Sequence, residues 1–574
     1  MTLTETRHID TYFRDFIARS TPGISEQLLN EITTLSRATY ENNSCIELPQ
    51  EELLCNQIIE ELEQLGLSGS DNSPITLHGN KMYLSRYFQY EHFIAKRLIQ
   101  FNNHLPAADD DAMSSLMNNL SSSTNNINWQ DIAILQALTR QLTIITGGPG
   151  TGKTVTIARI TDLLGTVADP SLRIELAAPT GKAAERLSQA IREHNKTQLD
   201  VKTIHRLLGI SRDGSHFKYN QFYSLPCDVV IIDEASMIGL NLMYRVLSAL
   251  PETCRLILVG DPDQLPSVEI GNVLADLCSQ PIVYNKEFGD YVKNLSGVDL
   301  PVDETLNPLQ NALCRLATSH RFSHNHGIGS LANHIKVRNP TLPQTDSSIS
   351  IYATSKLLNK GGNTILLDEF KDYLRHLKNG EKDPVILLQI FEKTRLLTPL
   401  REAMLGVEDI NKRVETELER LGLKSASDNF YHGRPILITR NDYNKNLYNG
   451  DIGICVKGQD SEEVLVAFIE RPGEIRLVPI SRLPPHETCF AMTVHKSQGS
   501  EFENVTLILP TDSNENTRAL LSRQLIYTAV TRAKAKVKLF CTAAIWKHCM
   551  ENNRSRTSGL SDFFNNNYNW TVKS

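Results

Sequence analysis

The eight residues from 147 to 154 combine the residue types and the spacing that bind phosphate groups. They read GGPGTGKT and fit the pattern G-x-x-x-x-G-K-[ST]. In such a loop, successive backbone amides and a helix N-terminus point at the phosphates of a nucleoside triphosphate. Lys153 is expected to reach the terminal two phosphates, and Thr154 to hold magnesium. The residues predicted to contact the nucleotide are Gly147, Gly148, Pro149, Gly150, Thr151, Gly152, Lys153 and Thr154.

Two further segments place polar side chains directly after apolar runs. Residues 229–237 read VVIIDEASM, and residues 258–268 read LVGDPDQLPSV. Asp233 is placed to hold magnesium through water, while Glu234 can orient and deprotonate an attacking water molecule. Gln264 can sense the γ-phosphate and relay its presence towards a bound polymer. Together with the loop, these side chains predict hydrolysis of a magnesium-bound nucleoside triphosphate.

The segments that must position these side chains alternate between short apolar runs and helical stretches. Such runs occur at 142–145, 174–178, 229–232, 256–259, 395–397, 505–509 and 537–540. Their βαβ rhythm is typical of an α/β fold with a parallel sheet covered on both faces, and it occurs in two halves. We therefore expect two motor-type lobes.

The remaining segments have different patterns. Residues 10–100 show helical spacing of apolar positions, and residues 107–126 are acidic and then rich in Ser and Asn, as in a linker. Between Tyr431 and Pro484, short alternating segments separated by NG and GD turns predict a small β-barrel inserted in the second lobe.

Composition excludes several classes of protein. The chain has 40% hydrophobic and 22% charged residues, as an ordinary globular protein does. No apolar run is long enough to cross a bilayer, and no signal peptide is evident, so a cytoplasmic location is expected. The cysteines form no C-x-x-C pairs, and the spacing of Cys314, His320, His324 and His326 fits no usual zinc pattern. Magnesium bound with the nucleoside triphosphate is the only metal predicted.

The charge is unevenly distributed along the chain. Residues 1–111 contain eight Lys and Arg against seventeen Asp and Glu, so their net charge is −9. Because the whole chain carries −7, residues 112–574 carry +2. A nearly balanced remainder permits a local basic groove for nucleic acid, whereas the acidic front segment is not expected to contact DNA.

Eight ordered blocks resemble the superfamily-one DNA helicases of the RecD branch. The blocks are GGPGTGKT, APTGKAAERL, TIHRLLG, IIDEASM, GDPDQLPSV, SHRF, FAMTVHKSQGSEF and LIYTAVTRAK, and they cover about 130–540. The resemblance implies two RecA-like P-loop motor domains with parallel sheets, a β-barrel insertion and an N-terminal helical domain. It implies these units: 1–106, a helical partner-docking domain; 107–127, a linker; 128–310, motor domain 1 with a small insertion near 211–223; and 311–574, motor domain 2 with the barrel near 430–488.

The resemblance also implies roles for individual residues. Gln130 matches a glutamine that reads adenine, and Arg321 and Arg532 match two arginines that the second lobe presents to the γ-phosphate. Pro179, Gly181 and the residues around them open a helix and are expected to contact a DNA phosphate. The implied DNA-binding residues are Pro179, Thr180, Gly181, Lys182, Thr203, His205, Thr493, His495, Lys496 and Ser497, and the implied couplers to the nucleotide are Gln498, Gly499 and Glu501. Base stacking by Tyr448 or Phe502 is a weaker hypothesis, because such residues more often belong to the core.

The implied activity is an ATP-driven translocase and helicase that moves 5′ to 3′ on single-stranded DNA. The acidic front segment and the length are further similar to the branch members in exodeoxyribonuclease V (RecBCD), which implies RecB-like and RecC-like partners in a heterotrimer and DNA ends as substrate. No domain is left over for a nuclease, so cleavage is expected in a partner chain. Two alternatives stay open: a stand-alone 5′ to 3′ helicase, and an ATP-gated regulatory subunit whose motor is idle.

Overall fold

The computed structural model describes most of the chain. The described residues are 8–70, 72–102, 127–168, 171–194, 199–211, 214, 216–303, 308–319, 327–442, 445–457, 464–471, 474–511, 515–552 and 556–564. They form an N-terminal unit, two lobes with parallel sheets, and an antiparallel sheet that interrupts the second lobe. The α/β class with parallel sheets, predicted from the apolar runs, is confirmed.

The N-terminal unit combines helices with a small sheet. Its strands are short and pair antiparallel in the order β1-β3-β2. The unit has its own core, which includes Ile32, Ile58, Leu62 and Met82. Its elements are α1 (His8–Ser20), α2 (Glu26–Tyr40), β1 (Cys45–Glu47), α3 (Glu52–Gln64), β2 (Ile75–His78) and β3 (Lys81–Leu84), and α4 (Ser85–Asn102) follows β3 along the chain.

The sheet of lobe 1 has six parallel strands in the order β6-β5-β7-β8-β4-β9. Neighbouring residues of its central strands face different cores: Val230 packs in one cluster and Ile231 in another. Burial on both faces explains why these strands read as continuous apolar runs. The strands are β4 (Leu142–Gly147), β5 (Ile174–Ala178), β6 (Val201–Thr203), β7 (Val229–Ile232), β8 (Arg255–Gly260) and β9 (Leu313–Leu316).

Helices cover both faces of this sheet. The helix after the phosphate-type loop begins at Lys153, directly after Gly152 in a left-handed conformation. The helices are α5 (Trp129–Thr139), α6 (Lys153–Leu163) with a π-helical extension (Leu164–Ala168), α7 (Gly181–His194), α8 (Ile204–Leu207), α9 (Leu240–Ala249), α10 (Val273–Cys278) and α11 (Lys286–Ser296), with a 3₁₀ turn at Ala235–Met237.

The sheet of lobe 2 has five parallel strands in the order β10-β19-β18-β11-β17. These strands are β10 (Ile349–Tyr352), β11 (Thr394–Thr398), β17 (Ala491–Thr493), β18 (Phe502–Ile508) and β19 (Ala533–Phe540). Its helices are α12 (Gly327–Lys336), α13 (Ser355–Leu358), α14 (Gly362–Asp368), α15 (Lys371–Lys378), α16 (Pro384–Phe391), α17 (Val407–Arg420), α18 (Glu515–Leu520), α19 (Arg523–Val530) and α20 (Ala543–Glu551), with a 3₁₀ turn at His495–Ser497.

An antiparallel sheet lies between β11 and β17 along the chain. Its order is β15-β14-β13-β12-β16. Closure into the predicted barrel would need its edge strands to pair, and that closure stays a prediction. Its strands are β12 (Pro435–Ile438), β13 (Ile452–Lys457), β14 (Val464–Arg471), β15 (Glu474–Pro479) and β16 (His486–Thr488), with a 3₁₀ turn at Ile480–Arg482.

The front segment differs from the predicted helical domain in two respects. It contains the three-stranded sheet, whose strands of three or four residues are too short to show a period-two pattern. In addition, Ile94, Leu98 and Phe101 of α4 pack into the core of lobe 1. The predicted limit at residue 106 therefore assigns to the front segment a helix that completes the core of lobe 1.

A segment near the C-terminus, residues 556–564, ties the N-terminal unit to lobe 1, and we refer to it as the clasp. Arg556 donates to the carbonyl oxygens of Glu269, at 2.5 Å, and Gly271, at 2.6 Å. On the other side, the Lys81 ammonium lies 2.6 Å from the Asp562 carboxylate. The clasp ends in a 3₁₀ turn (Leu560–Phe564) whose apolar side chains join the core of lobe 1.

Within the described residues, no helix is both long and apolar enough to cross a membrane.

Candidate nucleotide and nucleic-acid sites

Four functional segments of lobe 1 begin where a strand of its parallel sheet ends. The phosphate-type loop follows β4, residues 179–182 follow β5, Asp233 follows β7, and Asp261 follows β8. Because the strands are parallel, all four segments leave the same edge of the sheet. This carboxyl edge is where open α/β sheets bind ligands.

The phosphate-type loop has a backbone that depends on glycine. Gly150 and Gly152 have φ angles of 75° and 83°, which strain most other residues. A Cβ on Gly152 would lie 2.2 Å from the side-chain nitrogen of Gln130. That amide donates to the Thr151 carbonyl at 3.0 Å, so Gln130 lies against the loop. Lys153 donates to the carbonyl oxygens at the start of the loop, those of Gly147 at 2.7 Å and Gly148 at 3.1 Å.

A cavity of about 580 Å³ lies between the two lobes beside this loop. Its volume falls within the range of small-molecule sites in proteins. Lobe 1 contributes the loop, both carboxylates of the DE pair and the predicted sensor, and lobe 2 contributes residues from two of the eight blocks. The lining includes Gln130, Pro149, Gly150, Gly152, Lys153, Thr154, Arg186, Asp233, Glu234, Gln264, Gly499, Glu501 and Arg532.

The two carboxylates of the DE pair are buried at the cavity wall. Burial, and after it the adjacent Glu234 carboxylate, raises the pKa of Asp233 to about 6, while Lys153 opposes the rise. Asp233 accepts a hydrogen bond from the Glu234 backbone amide at 2.8 Å. Glu234 itself has a φ angle of 52°, a left-handed conformation that costs a non-glycine residue about 1–3 kcal/mol. Such strain is typical of residues held in place for function.

Arg532 of lobe 2 crosses to lobe 1 at the cavity wall. Its guanidinium donates to the Gln264 side chain at 2.7 Å and to the Ser500 carbonyl at 3.2 Å. Burial lowers the pKa of Arg532, and the nearby Glu234 carboxylate opposes that change. A cation in a buried site interacts strongly with a developing negative charge.

The GDPDQ segment contacts lobe 2 at two further points. The Tyr527 hydroxyl donates to Asp261 at 3.1 Å. Asp263 accepts from both Lys336 and Arg523, each at 3.1 Å, which lowers its pKa against the effect of burial. Opening of the cleft would therefore break several hydrogen bonds and ion pairs of this one segment.

The residues at the cavity fit a nucleoside triphosphate with magnesium. Lys153 and Arg532 supply cations from opposite lobes, and the loop supplies backbone amides. Thr154 and Asp233 both line the cavity and offer the oxygen ligands that magnesium prefers. A divalent cation there would offset the penalty that burial imposes on the Asp233 carboxylate. Within the described part of the chain, no group of three or more His, Cys, Asp or Glu side chains is arranged to hold a metal.

The predicted DNA-binding residues around the start of α7 contact lobe 2 and the loop between β12 and β13. A Cβ on Gly499 of lobe 2 would lie 3.3 Å from the Thr180 hydroxyl of lobe 1. Tyr448, from the loop between β12 and β13, packs against Gly181 at the start of α7. The Lys182 ammonium lies 5.8 Å from the centre of the Phe502 ring.

Several residues predicted to contact DNA have side chains that are buried or that already contact other parts of the protein. The Ser497 hydroxyl is fully buried and donates to the Val494 carbonyl at 2.7 Å, so it does not face a DNA strand here. The Thr203 hydroxyl caps α8 by accepting from the Arg206 amide. His205 lies beside the Phe217 ring, and burial lowers its pKa. Phe502 is buried at 2% exposure, which contradicts the hypothesis of base stacking by this residue.

In the second-lobe block, the predicted DNA contact Lys496 is half-buried. Lys496 pairs with Glu487 at 2.7 Å, and its backbone amide donates to the Thr493 hydroxyl. Gln498 donates to the Leu265 carbonyl at 2.9 Å, which joins this block to the GDPDQ segment. His495 begins the 3₁₀ turn that follows β17, and Pro179 directly follows β5. Arg321 lies outside the described residues, as do His320, His324 and His326.

Three residues at the site were not predicted from the sequence. Arg186 lines the cavity and pairs with Glu501 across the cleft at 2.5 Å. It belongs to the APTGKAAERL block and follows Lys182 by about one helical turn, which is the signal that could have identified it. Lys336 and Tyr527 contact the GDPDQ segment, and Tyr527 could have been found through its place in LIYTAVTRAK.

Comparisons with known proteins show which families and relatives the chain resembles. Residues 130–269 match the AAA domain family, and residues 488–540 match the UvrD-like helicase C-terminal domain family. The RecBCD enzyme subunit RecD of Haemophilus influenzae is 33% identical over 85% of this chain and 81% of its own length. The ATP-dependent RecD2 DNA helicase of Deinococcus radiodurans is 29% identical over 71% of this chain, but over only 48% of its own length. The crystal structure of a Bacteroides Pif1 helicase with ADP-AlF3 and ssDNA aligns with 75% of this chain and 94% of its own, at 18% identity and a TM-score of 0.39.

The two parallel-sheet lobes, the shared cavity and the matching families define a two-lobed P-loop ATPase of the helicase type. Within that class, the identity and coverage of its relatives show that the chain belongs to the family of RecD subunits of the RecBCD enzyme.

Proposed function

We propose that the protein is an ATP-driven 5′ to 3′ translocase and helicase for single-stranded DNA. It works as a subunit of a RecBCD-type helicase–nuclease that processes double-strand DNA ends in recombinational repair. The observation that carries this proposal is the cavity between the lobes, which Lys153 of one lobe and Arg532 of the other both line. A nucleotide bound there contacts both lobes at once, so its cleavage can change their separation.

The residues at the cavity have separate roles in ATP hydrolysis. Thr154 and Asp233 would hold magnesium, which neutralises charge on the phosphates. Lys153 binds the terminal phosphates, and Glu234 takes the proton of the attacking water. Arg532 stabilises charge on the transferred phosphoryl group, and Gln264, the last residue of GDPDQ, accepts a hydrogen bond from it.

Coupling to DNA runs through contacts that join the two sites. Gln264 is hydrogen-bonded to Arg532, and Leu265 to both Gln498 and Thr528. The loop that contains Gln498 also packs on Thr180 through Gly499. Loss of the γ-phosphate would therefore disturb the segments that grip DNA in both lobes. Alternating grip by the two lobes converts each ATP cycle into a step along the strand.

The N-terminal unit is the proposed docking surface for RecB-like or RecC-like partners. Helix α1 packs one side, including Ile17, against the core of its own unit. Its other side presents Ile9, Tyr12 and Phe16 to solvent, with 64%, 73% and 63% of each residue exposed. Three large apolar side chains on one short helix are unusual on a free surface and favour a protein partner. We place the end of this unit before α4, because α4 belongs to the core of lobe 1.

Two alternatives make different demands on the chain. A stand-alone helicase would not need the exposed apolar side of α1, which favours a protein partner. An idle, ATP-gated subunit would not need Lys153, Glu234 and Arg532 around one cavity, yet all three are present there.

Unwinding of tailed duplexes tests the proposal. The purified chain is incubated with ATP and duplexes that carry a 5′ or a 3′ single-stranded tail, with and without RecB-like and RecC-like subunits. We expect unwinding of the 5′-tailed duplex only, with a marked gain when the partners are present. Preference for the 3′ tail would overturn the polarity, and brisk unwinding that partners leave unchanged would favour the stand-alone helicase.

A further inference from the structure

We propose that Arg401 and Lys496 together bind one phosphate of the DNA strand, and that the Glu487 carboxylate occupies their site while DNA is absent. The inference rests on the proposed DNA-binding function, and it adds to that function a phosphate-binding residue and an internal competitor. Arg401 is not part of any of the eight sequence blocks.

Both cations lie at the carboxyl edge of the parallel sheet in lobe 2. Strands β11 and β17 are neighbours in register, with Thr398 beside Thr493. Arg401 lies in the loop that follows β11, and Lys496 lies in the turn that follows β17. This edge corresponds to the one that carries the phosphate-type loop and residues 179–182 in lobe 1.

Glu487 contacts the two cations as a phosphate group would. One carboxylate oxygen lies 2.7 Å from the Lys496 ammonium, and the other lies 3.0 Å from the Arg401 guanidinium. The Glu487 side chain is 18% exposed, whereas those of Lys496 and Arg401 are 27% and 49% exposed. Glu408 also faces Arg401, at 3.4 Å from its Nε atom. Both cations therefore remain accessible to a ligand that approaches from solvent.

Strand pairing within the antiparallel sheet fixes the position of Glu487. Strand β16, which contains Glu487, pairs with β12, with Leu437 beside Glu487. The carboxylate is therefore fixed on the edge of the antiparallel sheet while both its partners belong to lobe 2. A small displacement of this sheet from lobe 2 would separate the carboxylate from both cations together.

Electrostatics favours displacement of the Glu487 carboxylate by a DNA phosphate. Ion pairs between partly exposed groups are weak, because water and salt screen them. A DNA phosphate that replaces the carboxylate keeps both cations paired and also releases condensed counterions into solution. Glu487 therefore lowers the affinity for DNA without abolishing it, and it shields the basic site from other anions.

The test compares DNA binding by Glu487→Gln and Glu408→Gln in the full chain. The probe is a fluorescein-labelled oligothymidylate, and its anisotropy is measured at several salt concentrations without nucleotide. Both substitutions remove one negative charge near Arg401, but only Glu487 also contacts Lys496. We expect Glu487→Gln to tighten binding by about three- to tenfold, and Glu408→Gln to change it less than twofold. Equal tightening by both, or none by Glu487→Gln, would overturn the inference.

Arg401→Ala gives a second readout that does not depend on the behaviour of Glu487 variants. A lost phosphate contact should weaken binding and lower the slope of log affinity against log salt by about one. In the double variant Arg401→Ala/Glu487→Gln, the tightening of DNA binding by the glutamine should be smaller. The reason is that only Lys496 remains of the two cations that Glu487 otherwise pairs. An unchanged salt slope in Arg401→Ala would contradict a phosphate contact. Failure of the unsubstituted chain to bind the oligonucleotide would instead contradict the proposed function.

Discussion

Lys153 is the residue on which triphosphate binding depends most directly. It lies on the wall of the cavity and at present satisfies its charge with two carbonyl oxygens of its own loop. Glutamine at this position should reduce DNA-stimulated ATP hydrolysis by at least about 10²-fold, because one preorganised cation is lost from the phosphates. Turnover is measured with single-stranded DNA, and thermal unfolding checks the fold.

Lys202→Gln is the matched control for that substitution. Lys202 pairs with Glu175 at 2.8 Å and does not line the cavity, so the same change of residue there should leave turnover within twofold of the parent. Normal turnover by Lys153→Gln would remove the assigned nucleotide site.

Asp276 provides a prediction about pH. It is half-buried near the clasp, and within the described residues its buried Oδ2 atom has no hydrogen-bond partner. Burial, and after it the Glu91 carboxylate, raises the pKa of Asp276 from 3.8 to about 8. The folded protein therefore keeps a proton that the unfolded chain releases, so stability falls as pH rises between those two values, by up to about 1.4 kcal/mol per pH unit.

Asp276→Asn should flatten this dependence, since the amide has no proton to lose in that range. Urea unfolding at pH 5 and pH 8 measures the effect, and the variant should exceed the parent in stability at the higher pH. Asp290→Asn, at an exposed position on α11, is the control. The same pH dependence in Asp276→Asn and in the parent would show that this carboxyl group is not held protonated by the fold.

Sequence predicted the chemistry of single residues better than their surroundings. GGPGTGKT and the DE pair could be assigned because backbone geometry and charge demand those residue types at that spacing. Nothing in a local pattern shows that the Ser497 hydroxyl turns inward or that Phe502 packs into the core. Those properties depend on which distant segments cover a residue.

At the scale of elements, the strands that sequence missed in the lobes are the edge strands. All seven runs predicted for the two parallel sheets are strands, whereas β6, β9, β10 and β17 were not predicted. Each of these four lies at an edge of its sheet and has only three or four residues. Such strands are covered less completely and need no long apolar run, so their patterns resemble loops.

The clasp yields a prediction at this scale. Arg556 donates to carbonyl oxygens of the loop that follows the GDPDQ segment, including those of Glu269 and Gly271. Alanine at this position would leave those carbonyls without their charged donor, and it should lower the free energy of unfolding by about 1–3 kcal/mol. Chemical denaturation measures the change.

Arg420→Ala serves as the control for the clasp. Arg420 is 65% exposed and pairs only with Glu417 on its own helix among the described residues, so its loss should cost less than about 1 kcal/mol. Equal effects of the two substitutions would mean that the clasp adds nothing to stability.

At the scale of the whole molecule, the N-terminal unit can be tested without cutting the chain. A deletion of residues 1–106 would remove α4 from the core of lobe 1. Loss of partner binding could then not be distinguished from misfolding of lobe 1. Substitution of Tyr12 and Phe16 by Asp places charge on the exposed face of α1, which is unfavourable in an apolar interface. Co-purification with RecB-like and RecC-like subunits should be lost, while DNA-stimulated ATP hydrolysis by the isolated chain is retained.

Leu53→Asp is the control for that surface. Leu53 is 74% exposed in the same unit, on α3, and its substitution should leave co-purification intact. Partner binding that survives the charged α1 face would place the docking surface elsewhere.

Directional movement along DNA tests the central claim most directly. Oligonucleotides with streptavidin bound at either the 3′ or the 5′ end are incubated with the purified chain and ATP, and displacement of streptavidin is followed over time. A motor powered by one nucleotide between two lobes, and moving 5′ to 3′, should displace streptavidin from the 3′ end only, and Lys153→Gln should abolish the displacement. Displacement that persists without ATP hydrolysis, or its absence from both ends despite normal DNA-stimulated hydrolysis, would contradict the account.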